Sequence, residues 1–280
     1  MPAGSTDYRR QAISGFLRTR RAEIEPDPSW PIVEPGGSRR VPGLRREEVA
    51  WKAGVSVDYY VKVEQAKVRP SEPIITAIAD ALELTGTDAA YLRMLFDPNP
   101  PAAVQIPDVV DVDTARYSLE YVGTHLDDVL MTHLLDDELN ITTLDDRTRA
   151  ILFPGHDDRP ERFSLLEYIF DDPVSRRVYV DWTEKAREVV GLAHMRLAQG
   201  GVSPQLESLI AHLMSRSSAF AHIFKQYRPY TNTVGSWRIR LPDNTTHTSR
   251  YVTVSSPTHP ALSLVIYRSD AETERSDSAR

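Results

Sequence analysis

An all-α domain followed by an α+β domain is the fold class that this sequence predicts, on three observations. Apolar residues recur at helical spacing up to residue 96. Beyond it, stretches with strand alternation are interleaved with helical ones. Between the two, Asp97-Pro98-Asn99-Pro100-Pro101 ends a helix and stiffens the chain. A length of 280 residues is enough for two domains. The expected boundaries are an all-α five-helix domain over 1–96, a linker over 97–107, a domain with a five-stranded antiparallel sheet and helices over 108–268, and a disordered polar tail over 269–280.

In the first domain, Arg9–Ile24 predicts a helix with Ile13, Phe16, Leu17 and Ile24 on one side. Glu25–Gly43 contains Pro26, Pro28, Pro31, Pro35 and Pro42 around Gly36-Gly37, which predicts a long irregular loop. Such a loop is unusual in a small helical domain and often functional. Helices resume over Arg45–Ala53, Ser56–Ala66, Ser71–Leu82 and Thr87–Phe96. Ser56 and Ser71 stand where N-caps belong, and Asp88 falls in a first turn. Ile74, Ile75, Ile78, Ala81 and Leu82 form a core-facing stripe.

In the second domain, strands are expected over Thr132–Leu135 and Leu139–Leu144, joined at Asp136-Asp137-Glu138. Helices follow over Asp145–Leu152, Ser164–Phe170, Pro173–Val178, Trp182–Ala198, Pro204–Arg216 and Ala219–Gln226. Ser203 with Pro204 makes a cap and first-position pair, and Gly200-Gly201 a stop. Three strands close the chain, Ser236–Leu241, Ser249–Ser255 and Leu262–Tyr267, with a turn at Pro242-Asp243-Asn244. Two strands, then helices, then three strands describe an antiparallel sheet with helices on one side. That order is similar to PAS-type sensor domains.

Net charge is −7, which taken whole argues against a nucleic-acid partner. The distribution reverses the argument: residues 9–69 carry 13 Lys/Arg against 8 Asp/Glu, whereas residues 97–280 carry 19 against 27. A basic module on an acidic body is the pattern of a protein that presents one face to a polyanion. Within that module, Arg46–Glu64 reads as a helix-turn-helix. Two short helices crossing sharply need a small residue at their contact, and Ala50 is there; they need a glycine to open the turn, and Gly54 is there. Val49 and Ala53 complete the inner face, and Val55, Tyr60 and Val63 anchor the second helix. The second helix of such a pair enters the major groove. Base-edge contact is therefore expected from Val57, Asp58, Val61 and Lys62, with Ser56 and Tyr59 beside them. Arg46 is expected at a phosphate, with Arg39, Arg40, Arg45, Lys67 and Arg69 as further cations. An ordinary helical hairpin with a solvated charged face is the competing reading.

Residues 9–96 resemble the helix-turn-helix of the MmyB-like regulators of actinobacteria. Those proteins carry a Pro/Gly-rich loop and then a signature close to R-x-P-G-L-R-R-E-E-V-A-x-x-A-G-V-S-x-D-Y-Y-x-x-x-E-Q; Arg40–Gln65 here reads RVPGLRREEVAWKAGVSVDYYVKVEQ. One departure is Ala66, where the family usually has the glycine that eases exit from the second helix. In the second domain, Asp181-Trp182-Thr183-Glu184, Ala186-Arg187, and Ser218 with Phe220 resemble further family segments. Phe224 and Tyr227 stand where a Trp and a His are usual, which implies a ligand different from that of relatives. The resemblance implies a transcription regulator whose PAS-like domain binds a small hydrophobic ligand, with fatty acids as a class. Ile141, Phe153, Leu166, Phe170, Leu192, Met195, Phe220, Phe224 and Val265 are candidates to line its pocket, although plain core packing is the stronger account of each. Arg187 or Arg196 would supply a cation for an acyl carboxylate.

Other chemistry finds little support. The chain has no cysteine, so disulfides and thiolate catalysis are excluded. Eight histidines are scattered without a metal-binding spacing, and no phosphate-cradling or nucleophile motif is present. No enzyme activity, cofactor or metal is expected. No apolar run is long enough to span a bilayer, and MPAGSTDYRRQAISGF lacks the apolar core of a secretory signal, so a cytoplasmic protein without a membrane partner is expected. The expected partners are double-stranded operator DNA, a small hydrophobic ligand and a second copy of the chain, since one such module buries too little surface alone.

Overall fold

The computed structural model describes residues 5–32, 43–97, 111–156, 160–199, 203–231 and 233–269. Arg39 and Arg40, most of the expected linker and nearly all of the expected tail lie outside the described residues. The first domain is built from α1 (Ser5–Glu23), α2 (Arg46–Lys52), α3 (Val57–Glu64), α4 (Glu72–Ala81) and α5 (Gly86–Phe96). Local chemistry explains the breaks. Ser56 Oγ accepts the Tyr59 N–H at the start of α3, and Thr85 Oγ1 accepts the Asp88 N–H at the start of α5. Gly54 adopts φ +65° after α2, which lets Val55 N–H reach back to the Ala50 carbonyl. Ala12, Ile13, Phe16 and Leu17 of α1 pack with Val49, Ala50, Tyr60, Val63, Ile78 and Leu92 into one core.

The second domain opens with α6 (Val112–Thr124), followed by β1 (Met131–Leu135), β2 (Asn140–Thr143), α7 (Asp146–Leu152), β3 (Arg162–Ser164), α8 (Leu165–Phe170), α9 (Ser175–Val178), α10 (Trp182–Gln199), α11 (Pro204–Arg216), α12 (Ser218–Phe224), β4 (Val234–Arg240), β5 (Thr246–Ser255) and β6 (Ser263–Ser269). The strands form one antiparallel sheet in the order β3-β2-β1-β6-β5-β4. The sheet has six strands rather than the five expected. The extra one is β3, where Phe163 pairs with Ile141. Three residues are too few for alternation to show, and they run straight into α8, whose cap is Ser164.

The expectation of helices on one side only is also corrected. Met131, Leu135, Ile141, Val265 and Tyr267 face the large core with α7–α10 and α12. Leu134 and Leu264, pointing the other way by strand alternation, pack against Ala115 and Leu119 of α6. The acid-rich composition around α6 hid its helical stripe. This helix packs on β1 and β6, while Val234, Val252 and Val254 on the outer face of β4 and β5 are exposed.

The two domains meet along α10. Met195 and Ala198 of this helix belong to the core of the first domain. At the same seam the Tyr227 ring packs on α1 at Gly15, where even a methyl group would come within 2.1 Å of it.

Candidate functional site

The polar edge of α3 faces outward. Ser56, Val57, Asp58 and Lys62 are exposed, Tyr59 and Val61 half-buried, while Tyr60 and Val63 are fully buried and fix the helix to the core. Behind it Glu64 is buried and held from two sides: Arg21 Nε lies 3.2 Å from one oxygen, Arg46 Nη2 and Nε at 2.6 and 2.9 Å from the other. This pairing ties α1, α2 and α3 into one body, because an uncompensated charge at that depth would be costly. Arg46, expected at a phosphate, thus has much of its guanidinium committed internally; its side chain keeps 43% exposure. Lys67 and Arg69 are exposed just beyond α3, with Arg69 paired to the exposed Asp97 at 2.6 Å, a bond worth little in water. Arg45 is half-buried at the cap of α2, where its N–H donates to Glu48 Oε2 at 2.6 Å.

The exit from α3 uses the conformation that glycine favours, with an alanine. Ala66 sits at φ +51°, and Lys67 N–H closes on the Lys62 carbonyl at 2.8 Å. Sequence reasoning missed a further device. Trp30, from the described start of the long loop, packs 5.9 Å from the exposed Trp51 ring, and Lys52 Nζ stands 4.9 Å over it. Only the tryptophan in the loop signalled this contact.

The eleven expected ligand-lining residues do not converge on one cavity. Leu192, Met195 and Arg196 of α10 do, with Leu135, Tyr230, Thr233, Thr253, Ser255 and Ser263, around a space of 200 Å³ between α10 and the sheet. Phe153 lines a separate, shallow hollow of 380 Å³ with Phe163 and Tyr168. Ile141, Leu166, Phe220, Phe224 and Val265 are buried in the packed core. Phe170 is partly buried against Phe220 and Trp182. Arg187 pairs with Glu184 at the surface. Arg196 is half-buried and donates to the Ala261 carbonyl at 2.8 Å; burial lowers its pKa from the ordinary guanidinium value. Thr253 Oγ1 is buried without a hydrogen-bond partner. Gln199 and Thr231 line the cavity as well, so its wall is more polar than apolar: Leu135, Leu192 and Met195 form an apolar patch beside one cation, Arg196, and the unsatisfied Thr253 hydroxyl.

Beside this cavity lies a polar cluster that the sequence did not announce. Lys185 Nζ is 2.5 Å from Glu188 Oε1, and both are buried. Tyr251 OH donates to Glu188 Oε2 at 3.2 Å and lies 2.7 Å from Tyr230 OH. The ammonium also stands over the Tyr179 and Trp237 rings. Burial is the largest influence and lowers the Lys185 pKa, but Glu188, Tyr179 and Tyr251 together outweigh it and hold the ammonium above its ordinary range. His133 is pushed down to about 3, first by burial and then by Lys185, so the imidazole stays neutral.

The helix that walls the cavity also carries the contact between domains. His194 is fully buried at the seam. Its Nε2 donates to the Phe224 carbonyl at 2.9 Å, so Nδ1 accepts from Tyr8 OH at 2.8 Å, and Tyr91 OH is 3.0 Å from Tyr8 OH. Burial pushes the His194 pKa down to about 4, against the pull of the Phe224 carbonyl. Among the described residues no cluster of three or more His, Asp or Glu could hold a metal, and no helix is long and apolar enough to cross a membrane.

Two family models match the chain. The model of a family described as the MmyB-like transcription regulator ligand binding domain matches residues 124–280. That of a helix-turn-helix domain matches residues 9–92. No curated protein matches the chain.

Proposed function

The chain belongs to the MmyB-like transcription regulators, and from that premise we propose that a small hydrophobic, fatty-acid-like effector controls how its helix-turn-helix reads an operator. The DNA-binding half of this reading follows from the helix-turn-helix domain and the outward edge of α3. Lys62 donates to guanine, Asp58 accepts from cytosine, and Val57 and Val61 meet thymine methyls. Lys67, Arg69 and the free part of Arg46 meet phosphates.

The observation that carries the regulatory half is the double use of α10. Leu192, Met195 and Arg196 line the cavity, while His194, Met195 and Ala198 pack on the first domain. At 200 Å³ the cavity is smaller than the roughly 300–1,000 Å³ usual for ligand sites. An acyl chain therefore enters only if α10 moves away from β5 and β6, and that movement reaches the seam. The effector then selects one relative arrangement of the domains, which is the condition for it to change DNA affinity at all. A homodimer on a two-part operator completes the reading. Exposed Tyr117, Tyr121 and Val122 of α6, next to bare Val234, Val252 and Val254, provide an apolar face for the second copy. Such a protein works beside the chromosome, in the cytoplasm.

Native mass spectrometry of the purified chain tests both halves of the regulatory claim. Acyl species on a dimer are expected, and their release should change binding to a duplex selected from a random pool. A monomer that stays empty in the presence of cell lipid extract would leave the second domain without an effector role.

A further inference from the structure

Along α1, Arg10, Ser14 and Arg18 recur every four residues and so share one face. With Gln11, Gly15 and Thr19 they line a cleft of 560 Å³ whose other wall, Lys225 and Tyr227, comes from the second domain. Arg10, Arg18 and Lys225 are exposed, and among the described residues no carboxylate lines the cleft. Arg10 also borders an adjoining hollow of 220 Å³, which Arg9, Lys67 and Arg69 line immediately after α3. Six cations thus follow one another from the exit of α3 to the domain seam. Among the described residues Asp97, at Arg69, is the one acid paired with any of them.

We infer that this row is a second contact with the DNA backbone, in which Arg10 and Arg18 of α1 and Lys225 of the ligand-binding domain neutralise phosphates flanking the bases read by α3. The inference rests on the DNA-binding reading above. A one-signed row repels itself and gains stability from a polyanion. A single small anion would leave most of it unmatched, whereas a DNA strand presents one charge per ~3.4 Å of helix axis. Arg10 and Arg18 are eight residues apart, about 12 Å along a helix, far enough to meet different phosphates. The row also begins at Lys67 and Arg69, cations already assigned to phosphates.

The consequence is regulatory. Lys225 follows Phe224, whose carbonyl is held by His194 on α10. When an effector displaces α10, Lys225 moves relative to Arg10 and Arg18, and the number of phosphates engaged changes while α3 stays in its groove.

The test uses the full chain and a selected duplex, either trimmed to the bases read by α3 or extended by a helical turn on each side. On the extended duplex, Lys225→Ala and Arg18→Ala should each reduce the slope of log Kobs against log salt by about 0.9, with base preference unchanged. On the trimmed duplex neither should matter. Wild-type slopes for both variants on the extended duplex, with a reduced slope for Lys67→Ala, would overturn this inference and leave the DNA-binding reading intact. Wild-type behaviour of Lys62→Ala and Lys67→Ala as well would sink both. Saturable calorimetric binding of inorganic pyrophosphate that Lys225→Ala abolishes, with an unchanged salt slope, would reassign the cleft to a free phosphate compound and overturn the inference too.

Discussion

Glu64 and Ala66 show how much a single position governs around α3. Glu64 needs both Arg21 and Arg46, so Arg46→Ala has a cost beyond any lost phosphate: the buried carboxylate keeps one partner. A loss of about 1–3 kcal/mol in urea unfolding is expected, and unchanged stability would show that Arg46 serves DNA alone. Ala66 holds a left-handed backbone that costs an L-residue ~1–2 kcal/mol, partly offset by the greater chain entropy of glycine. Ala66→Gly should therefore raise stability by about 0.5–1 kcal/mol. A lower melting temperature would mean that the Ala66 methyl contributes packing that outweighs its strain. Lys62 lies on the exposed edge, so Lys62→Ala should leave folding unaltered and relax base preference by roughly 1–3 kcal/mol in competition binding.

Helix α10 is the element on which the two domains depend. One side buries the Lys185–Glu188 pair, another walls the cavity and a third enters the core of the first domain. Glu188→Ala strands a buried ammonium and should destabilise the ligand-binding domain by about 3–5 kcal/mol; a double Lys185→Met, Glu188→Leu chain should recover much of that. A single variant as stable as wild type would show that water reaches Lys185. Tyr227, beside His194 of α10, meets α1 at Gly15. Gly15→Ala must lift the Tyr227 ring off the helix and open the seam; adding Tyr227→Ala should recover part of the lost stability in a double-mutant cycle. Strict additivity would mean that the ring and the helix do not meet in solution.

Across the whole molecule, acidity acts through two buried imidazoles. His194 and His133 have folded pKa values of about 4 and about 3, below the ordinary histidine value of 6.5. Unfolded chains bind these protons first as pH falls. The two residues therefore favour the folded state fully above pH 6.5, and that contribution disappears as pH falls towards 4 and then 3. For His194 the loss is on the order of 3 kcal/mol. Urea midpoints should fall from pH 6.5 to pH 4, and His194→Leu should flatten part of the slope. A midpoint independent of pH over that range would mean that His194 is protonated, or wet, at the seam. Because His194 joins the domains, acid should also loosen them from each other before either unfolds.

The amino-acid order alone determined most elements and the outward polar edge of α3. Caps, turn glycines and apolar periodicity are local, and Arg40–Gln65 carries all of them in one stretch; α3 lies within two residues of its expected end, with Asp58 and Lys62 outward. The helical stripe of α6 escaped notice because Asp and Glu dominate its surroundings, and β3 because three residues carry no period. Which apolar residues surround a space and which merely pack was undecidable, since Leu166, Val265 and Leu192 have the same chemistry and differ only in what faces them. Only the tertiary structure decided that His194 meets Tyr8 of the first domain, and that Lys225 stands across a cleft from Arg18. Those relations join residues 186 and 207 positions apart in the chain, and local spacing carries no information about separations of that length.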